Sequence, residues 1–103
     1  MKPVLIISTY PNKKSILKIA NDLLKTKIIA CVNISKIDSV YSWNGTIQNS
    51  AEYIAIFKTV TKNKSKLKKK IAETHPYDVP EIAEIDVTSI NKSYLNWLIE
   101  STN

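Results

Sequence analysis

The sequence predicts an α+β fold, one antiparallel sheet backed by helices, in the order β-α-β-β-α-β with a further C-terminal helix. Three observations predict it. A short apolar run, Val4-Leu5-Ile6-Ile7, is followed at once by a clean helical stripe. Two long arms rich in β-branched and aromatic residues flank the turn Trp43-Asn44-Gly45-Thr46. The helix-then-strand pattern repeats once more after that hairpin.

Val4 to Tyr10 reads as the first strand, its continuous apolar start suiting a central strand buried on both faces. Asn12 can cap the helix that follows, over about Lys13 to Lys25. Ile16, Ile19, Ala20, Leu23 and Leu24 fall at i, i+3, i+4, i+7 and i+8, the spacing of one helix face.

The hairpin runs from about Ala30 to Val60, and the rest of the chain is organised around it. Its Asn-Gly pair suits a type I′ turn, where both central residues take φ > 0, and Gly45 is the chain's only glycine. Arms of about 12–15 residues reach roughly 40–50 Å at about 3.4 Å per residue. A domain of this size is only about 35 Å across. The ribbon must therefore bend or project, and a projecting apolar ribbon with open edges needs a covering surface. A symmetric oligomer supplies one. The apolar alternation also slips between Val32/Ile34 and Ile37/Tyr41/Trp43, which predicts a bulge near Ser35 to Ser39; an ordinary loop there is the alternative.

Lys62 to Glu73 predicts a second helix with a thin apolar stripe of Leu67, Ile71 and Ala72, its lysines forming the solvated face. His75-Pro76-Tyr77-Asp78-Val79-Pro80 is a stiff two-proline connection. Glu81 to Ile90 predicts a fourth strand. Asn91 then caps a short last helix carrying Tyr94, Leu95, Trp97 and Leu98. The whole is a split βαβ, or ferredoxin-like, sandwich with two helices on one face of the sheet and the other face open.

With 103 residues the chain is read as one domain, 1–103. It has no apolar run of membrane-spanning length and no secretory signal pattern. Its single cysteine, Cys31, makes no internal disulfide. These features predict a soluble cytoplasmic protein with no membrane partner, an organelle protein after processing being the alternative. All 15 basic residues are lysine, for a net charge of +6. Without arginine there is no bidentate reader of phosphate or guanine. The stretch Glu52 to Thr59 lacks the glycine and aromatic pattern of an RNA-binding sheet, so no nucleic-acid partner is expected. No Ser/His/Asp or paired-acid arrangement stands out, so the chain does not read as an enzyme.

His75, the only histidine, is a candidate metal ligand; the competing reading is a hydrogen-bonded histidine in a cleft wall. Cys31 could ligate copper or zinc as a thiolate, or pack as a small hydrophobe in its apolar strand. Asp78 and Glu81 could serve a hard cation through oxygen, or fix the two-proline turn. With Glu52, Lys58 and Tyr77 they predict a polar cleft between subunits for a small anion or metabolite. Trp43 and Trp97 read as interface or core anchors.

Ala30-Cys31-Val32-Asn33, Tyr41-Ser42-Trp43-Asn44-Gly45, Lys58-Thr59, His75-Pro76-Tyr77-Asp78-Val79-Pro80-Glu81-Ile82 and Tyr94-Leu95-Asn96-Trp97 occur in an order and spacing that resembles the CutA family of divalent-cation tolerance proteins. The resemblance spans nearly the whole chain, and the His-Pro-Tyr-x-x-Pro-Glu stretch is its most specific part. It implies a ferredoxin-like subunit in a homotrimer joined through the long hairpins, similar in architecture to the PII signalling proteins. It also implies a role in tolerance of copper and other divalent ions. Some relatives carry Cys at the position of Ser8 and His at that of Thr74, proposed as copper ligands together with the residue matching His75. Here two of those three positions are hydroxyls, poor ligands for copper.

Overall fold

A computed structural model describes residues 1–103. The elements are β1 (Pro3–Tyr10), α1 (Lys13–Lys25), β2 (Cys31–Trp43), β3 (Thr46–Val60), a 3-10 turn (Thr61–Asn63), α2 (Lys64–Thr74), β4 (Ala83–Asp86) and α3 (Lys92–Glu100). The four strands form one antiparallel sheet in the order β2-β3-β1-β4, as the βαββαβ reading predicts.

Alternate residues of the central strands face opposite sides. Val4, Ile6, Ser8 and Tyr10 of β1 share a side with Tyr53, Ala55, Phe57 and Thr59 of β3. This side meets Ile16, Ile19 and Leu23 of α1 and Leu67 and Ile71 of α2 in the core. Two polar groups anchor the turn after α1 in that core: the buried Thr59 hydroxyl and the Asn63 amide both donate to the Ile28 carbonyl, at 2.6 and 3.3 Å. Asn12 caps α1 as predicted, its Oδ1 accepting the Ser15 N–H at 2.8 Å.

The hairpin projects. Its β2–β3 ladder is unbroken from the Cys31↔Lys58 pair to Trp43↔Thr46, whereas β1 covers β3 only from Val60 back to Tyr53. The section from Thr46 to Glu52 is thus paired with β2 alone, and the molecule measures 46 × 27 × 21 Å. The turn has φ +50° at Asn44 and +76° at Gly45, as a type I′ turn requires.

Four expectations need correction. There is neither a bulge nor a loop at Ser35 to Ser39, since the register stays constant through it. The slip in alternation is a change of face: Val32 and Ile34 point toward the helices, whereas Ile37, Tyr41 and Trp43 lie on the sheet's other side. The fourth strand is only Ala83–Asp86, because it finds partners only along Val4–Ile7 of β1. The sheet's other side is not wholly open: Lys58 faces it, and its Nζ lies 3.4 Å from the Tyr94 hydroxyl of α3. Asn91 stands at the N-cap of α3 without a capping bond; its amide donates to the Ser93 hydroxyl instead.

The α2 lysines take the solvated face, with two exceptions. Lys64 and Lys68 both reach Glu84 of β4, and those bonds hold the Glu84 carboxyl below its usual range.

Candidate functional site

The site is built where β1 stops and the hairpin runs on alone. The His75–Pro80 connection crosses the sheet at that gap. On the helical side, His75 stacks on Tyr10 with ring centroids 4.1 Å apart. On the other side, the Tyr77 hydroxyl donates to Glu52 Oε2 at 2.7 Å. Pro76, between them, fixes the backbone that makes this crossing.

The hydrogen bonds assign the His75 tautomer. The Tyr77 N–H donates to Nδ1 at 3.1 Å, so Nδ1 carries no proton. The proton sits on Nε2, which donates to the Thr9 carbonyl at 2.9 Å with the buried Ser8 hydroxyl at 3.1 Å. Burial lowers the imidazole's pKa, against smaller opposing pulls from the Thr9 carbonyl and the Glu52 charge. Both ring nitrogens are therefore occupied in the neutral form. Burial pushes the Tyr10 phenol up to about 12, the nearby Ser8 hydroxyl countering it only in part; the Tyr10 oxygen is buried without a hydrogen-bond partner. The Tyr77 phenol is also raised, by burial first and then by its bond to Glu52, so it stays a neutral donor.

The connection and the hairpin enclose a cleft of about 720 Å³, lined by Tyr41, Trp43, Gln48, Glu52, Tyr77 and Asp78, with Pro76 and Val79 at its wall. Tyr41 is fixed by its hydroxyl's contact with Ser50 at 3.1 Å. Trp43 and Val79 remain largely exposed, at 63% and 91%.

Of the residues singled out from sequence, the structure brings Trp43, Glu52, Tyr77 and Asp78 together at this cleft, with His75 behind it. It does not bring Lys58, Glu81, Trp97 or Cys31 there. Lys58 lies at the other end of β3, its ammonium 5.5 Å from the centre of the Tyr94 ring, and Trp97 packs against that same ring. Cys31 is paired with Lys58, on the side of the sheet away from His75. Glu81 is exposed. Sequence reasoning missed Tyr10, Tyr41 and Gln48. For the last two the signal was present, since they face one another beside the Asn-Gly turn.

The donor set within one chain does not fit copper. No group of three or more His, Cys, Asp or Glu side chains is gathered anywhere. Ser8 does lie against His75, but the Thr74 hydroxyl turns back to donate to the Lys70 carbonyl at 2.7 Å.

This fold and this crossing connection define a small ferredoxin-like α+β protein with an extended hairpin. Residues 4–101 match the family model described as CutA1 divalent ion tolerance protein. The chain belongs to that family, which is named for tolerance of divalent cations. It is 42% identical over 99 residues to the divalent-cation tolerance protein CutA of Pyrococcus horikoshii, covering 96% of this chain and 97% of that one. The crystal structure of CutA1 from that organism matches with a TM-score of 0.91, covering 97% and 98% of the two chains. CutA1 from Ehrlichia chaffeensis matches at 0.95 and 39% identity, covering 100% of this chain and 98% of that one.

The expectation of a cytoplasmic protein is overturned by the same comparisons. A 37% identical relative from Arabidopsis thaliana, of which this chain spans 55%, is named chloroplastic. A 31% identical structure from Archaeoglobus fulgidus, TM-score 0.89 and covering 96% and 97% of the chains, is described as periplasmic. One unpaired cysteine carries no information about compartment, so the inference from Cys31 had no force.

Proposed function

We propose that this chain acts in the response to divalent metal ions as a homotrimer assembled through its hairpin, binding rather than transforming its ligand. The observation that carries the reading is the hairpin itself. Val40 and Ile47 on one side of it and Trp43 on the other are 65%, 76% and 63% exposed, in a segment that no other strand of the chain covers. Apolar surface of this kind on an open two-stranded ribbon calls for a partner; the number three is the architecture that the resemblance to the family implies.

Copper or another divalent ion enters this reading only through ligands pooled between subunits. His75 and Cys31 lie apart in one chain, and His75 offers a lone pair only by releasing the Tyr77 N–H. Titration of Cu(II) and Zn(II) into the protein, into His75→Ala and into Cys31→Ala tests the metal part. Loss of binding in either variant supports it; indifference of both removes it.

A second reading is a PII-like module that holds a small molecule and passes its state to a partner. The cleft between hairpin and connection favours it. A thermal-shift screen with nucleotides, amines and metabolites tests it, and an absence of stabilisation across the panel contradicts it.

A further inference from the structure

We propose that the outer face of the helical layer, formed by α1, the 3-10 turn and α2, docks on the surface of an anionic lipid bilayer.

Charge is segregated in this chain. The helical layer carries ten of the 15 lysines and only Asp22 and Glu73 of the nine acidic residues, a net +8. The other five lysines and seven acids leave the strands, the connections and α3 at −2. A general excess of lysine would spread over every surface, and this one does not. Lys64 and Lys68 are spent on Glu84. The other eight are exposed, among them Lys14, Lys18 and Lys25 on α1 and Lys66, Lys69 and Lys70 on α2. Both helices bury their apolar stripes in one core, so their lysines turn outward on the same side of the molecule. Lysine is also a residue that subunit contacts exclude. An assembly through the hairpins therefore leaves this layer outside.

The class of anion follows from what accompanies the charge. Leu17 and Leu24 lie on one flank of α1 and are 43% and 42% exposed. Half-exposed leucines among lysines suit a lipid interface. There the apolar groups enter the boundary below the headgroups while the ammonium groups stay among them. Nucleic acid fits less well: the layer has no arginine to grip phosphate bidentately and no aromatic ring to stack on a base. No helix is long and apolar enough to cross a membrane, and the contact proposed is peripheral. The expectation of no membrane partner rested on the lack of a spanning run and left surface contact aside. Repetition of the layer in an oligomer adds avidity.

The test is flotation of the assembled protein with vesicles of phosphatidylcholine, alone or with about one-third phosphatidylserine. Binding is expected only to the anionic vesicles, and it should fall as salt rises from about 0.1 M to about 0.5 M and shortens the Debye length. Each lysine near an anionic bilayer is worth about fivefold in affinity. Lys66→Gln with Lys69→Gln and Lys70→Gln should therefore weaken binding by at least about tenfold, and Leu17→Ser with Leu24→Ser should weaken it at constant charge. No binding, equal binding to neutral vesicles, or binding unchanged in either variant overturns the proposal. Retention of duplex DNA without retention of anionic vesicles overturns the lipid class. A change in the assembled mass of the lysine variant would put these residues in the subunit contact and overturn the docking face itself.

Discussion

Replacing His75 by alanine should cost the fold about 2–4 kcal/mol. The change removes the Nε2–H bond to the Thr9 carbonyl and the contact with the Ser8 hydroxyl. It also leaves the Tyr77 N–H without its acceptor and uncovers the Tyr10 ring, which is 1% exposed behind it. Two hydrogen bonds at about 1 kcal/mol each and a stacked pair worth about 0.5–1.5 kcal/mol sum to about 2.5–3.5 kcal/mol. The stranded Ser8 hydroxyl, buried in the wild type, pushes the cost toward the top of the range. The assay is urea unfolding at fixed subunit concentration, since association would otherwise shift the midpoint. Acid supplies a second readout. The folded pKa of His75 is depressed, so the unfolded chain binds the extra proton. Stability from this group is complete above the unfolded value of about 6.5 and is lost as pH falls through that value toward the folded one. The wild type should therefore lose stability as pH falls below about 6.5, and His75→Ala should lose less. A variant within about 0.5 kcal/mol of wild type, or one with an unchanged pH slope, would refute the clamp.

Other perturbations separate the remaining parts of the account. Gly45→Ala should destabilise by about 1 kcal/mol through its positive φ alone, because a Cβ there meets no atom within 4 Å; Gly45→Asn should cost less, and equal urea midpoints for the two would contradict a backbone origin. Thr59→Val should cost about 1–2 kcal/mol by leaving the Ile28 carbonyl with only the longer Asn63 bond, while Thr59→Ser should recover most of it in the same unfolding assay. The Glu84 carboxyl should titrate by NMR below the usual glutamate range, and Lys64→Met with Lys68→Met should bring it back up; an unmoved midpoint would show that those two lysines do not hold it. Trp43→Ser with Ile47→Ser should weaken association while the far-UV circular dichroism stays that of the wild type, and unaltered association would place the contact elsewhere.

Much of the fold was legible because its signals are local. The Asn44-Gly45 turn, the Asn12 cap and the α1 stripe each depend on residues within a few positions of one another. The misreadings came where local pattern meets distant partners. The change of face at Ile37 looked like a bulge because sequence does not reveal where the helical layer ends. The length of β4 was set by how much of β1 remained available. The site was half visible: Trp43, Glu52, Tyr77 and Asp78 were singled out, and a hydrogen-bonded His75 in a cleft wall was one of its two readings, but the partners of His75 and the place of Lys58 were not. His75 is fixed by Ser8 and Thr9, 67 and 66 positions away. Lys58 and Glu52 share a strand and a face, yet β3 carries them to opposite ends of the sheet.

Sedimentation equilibrium of the purified chain at micromolar concentration tests the central claim most directly. A hairpin that outreaches its own sheet predicts a particle heavier than one chain of 11.7 kDa, and the proposed homotrimer predicts about three times that mass, dissociated by changes at Trp43 and Ile47. A stable, folded species of single-chain mass would contradict it.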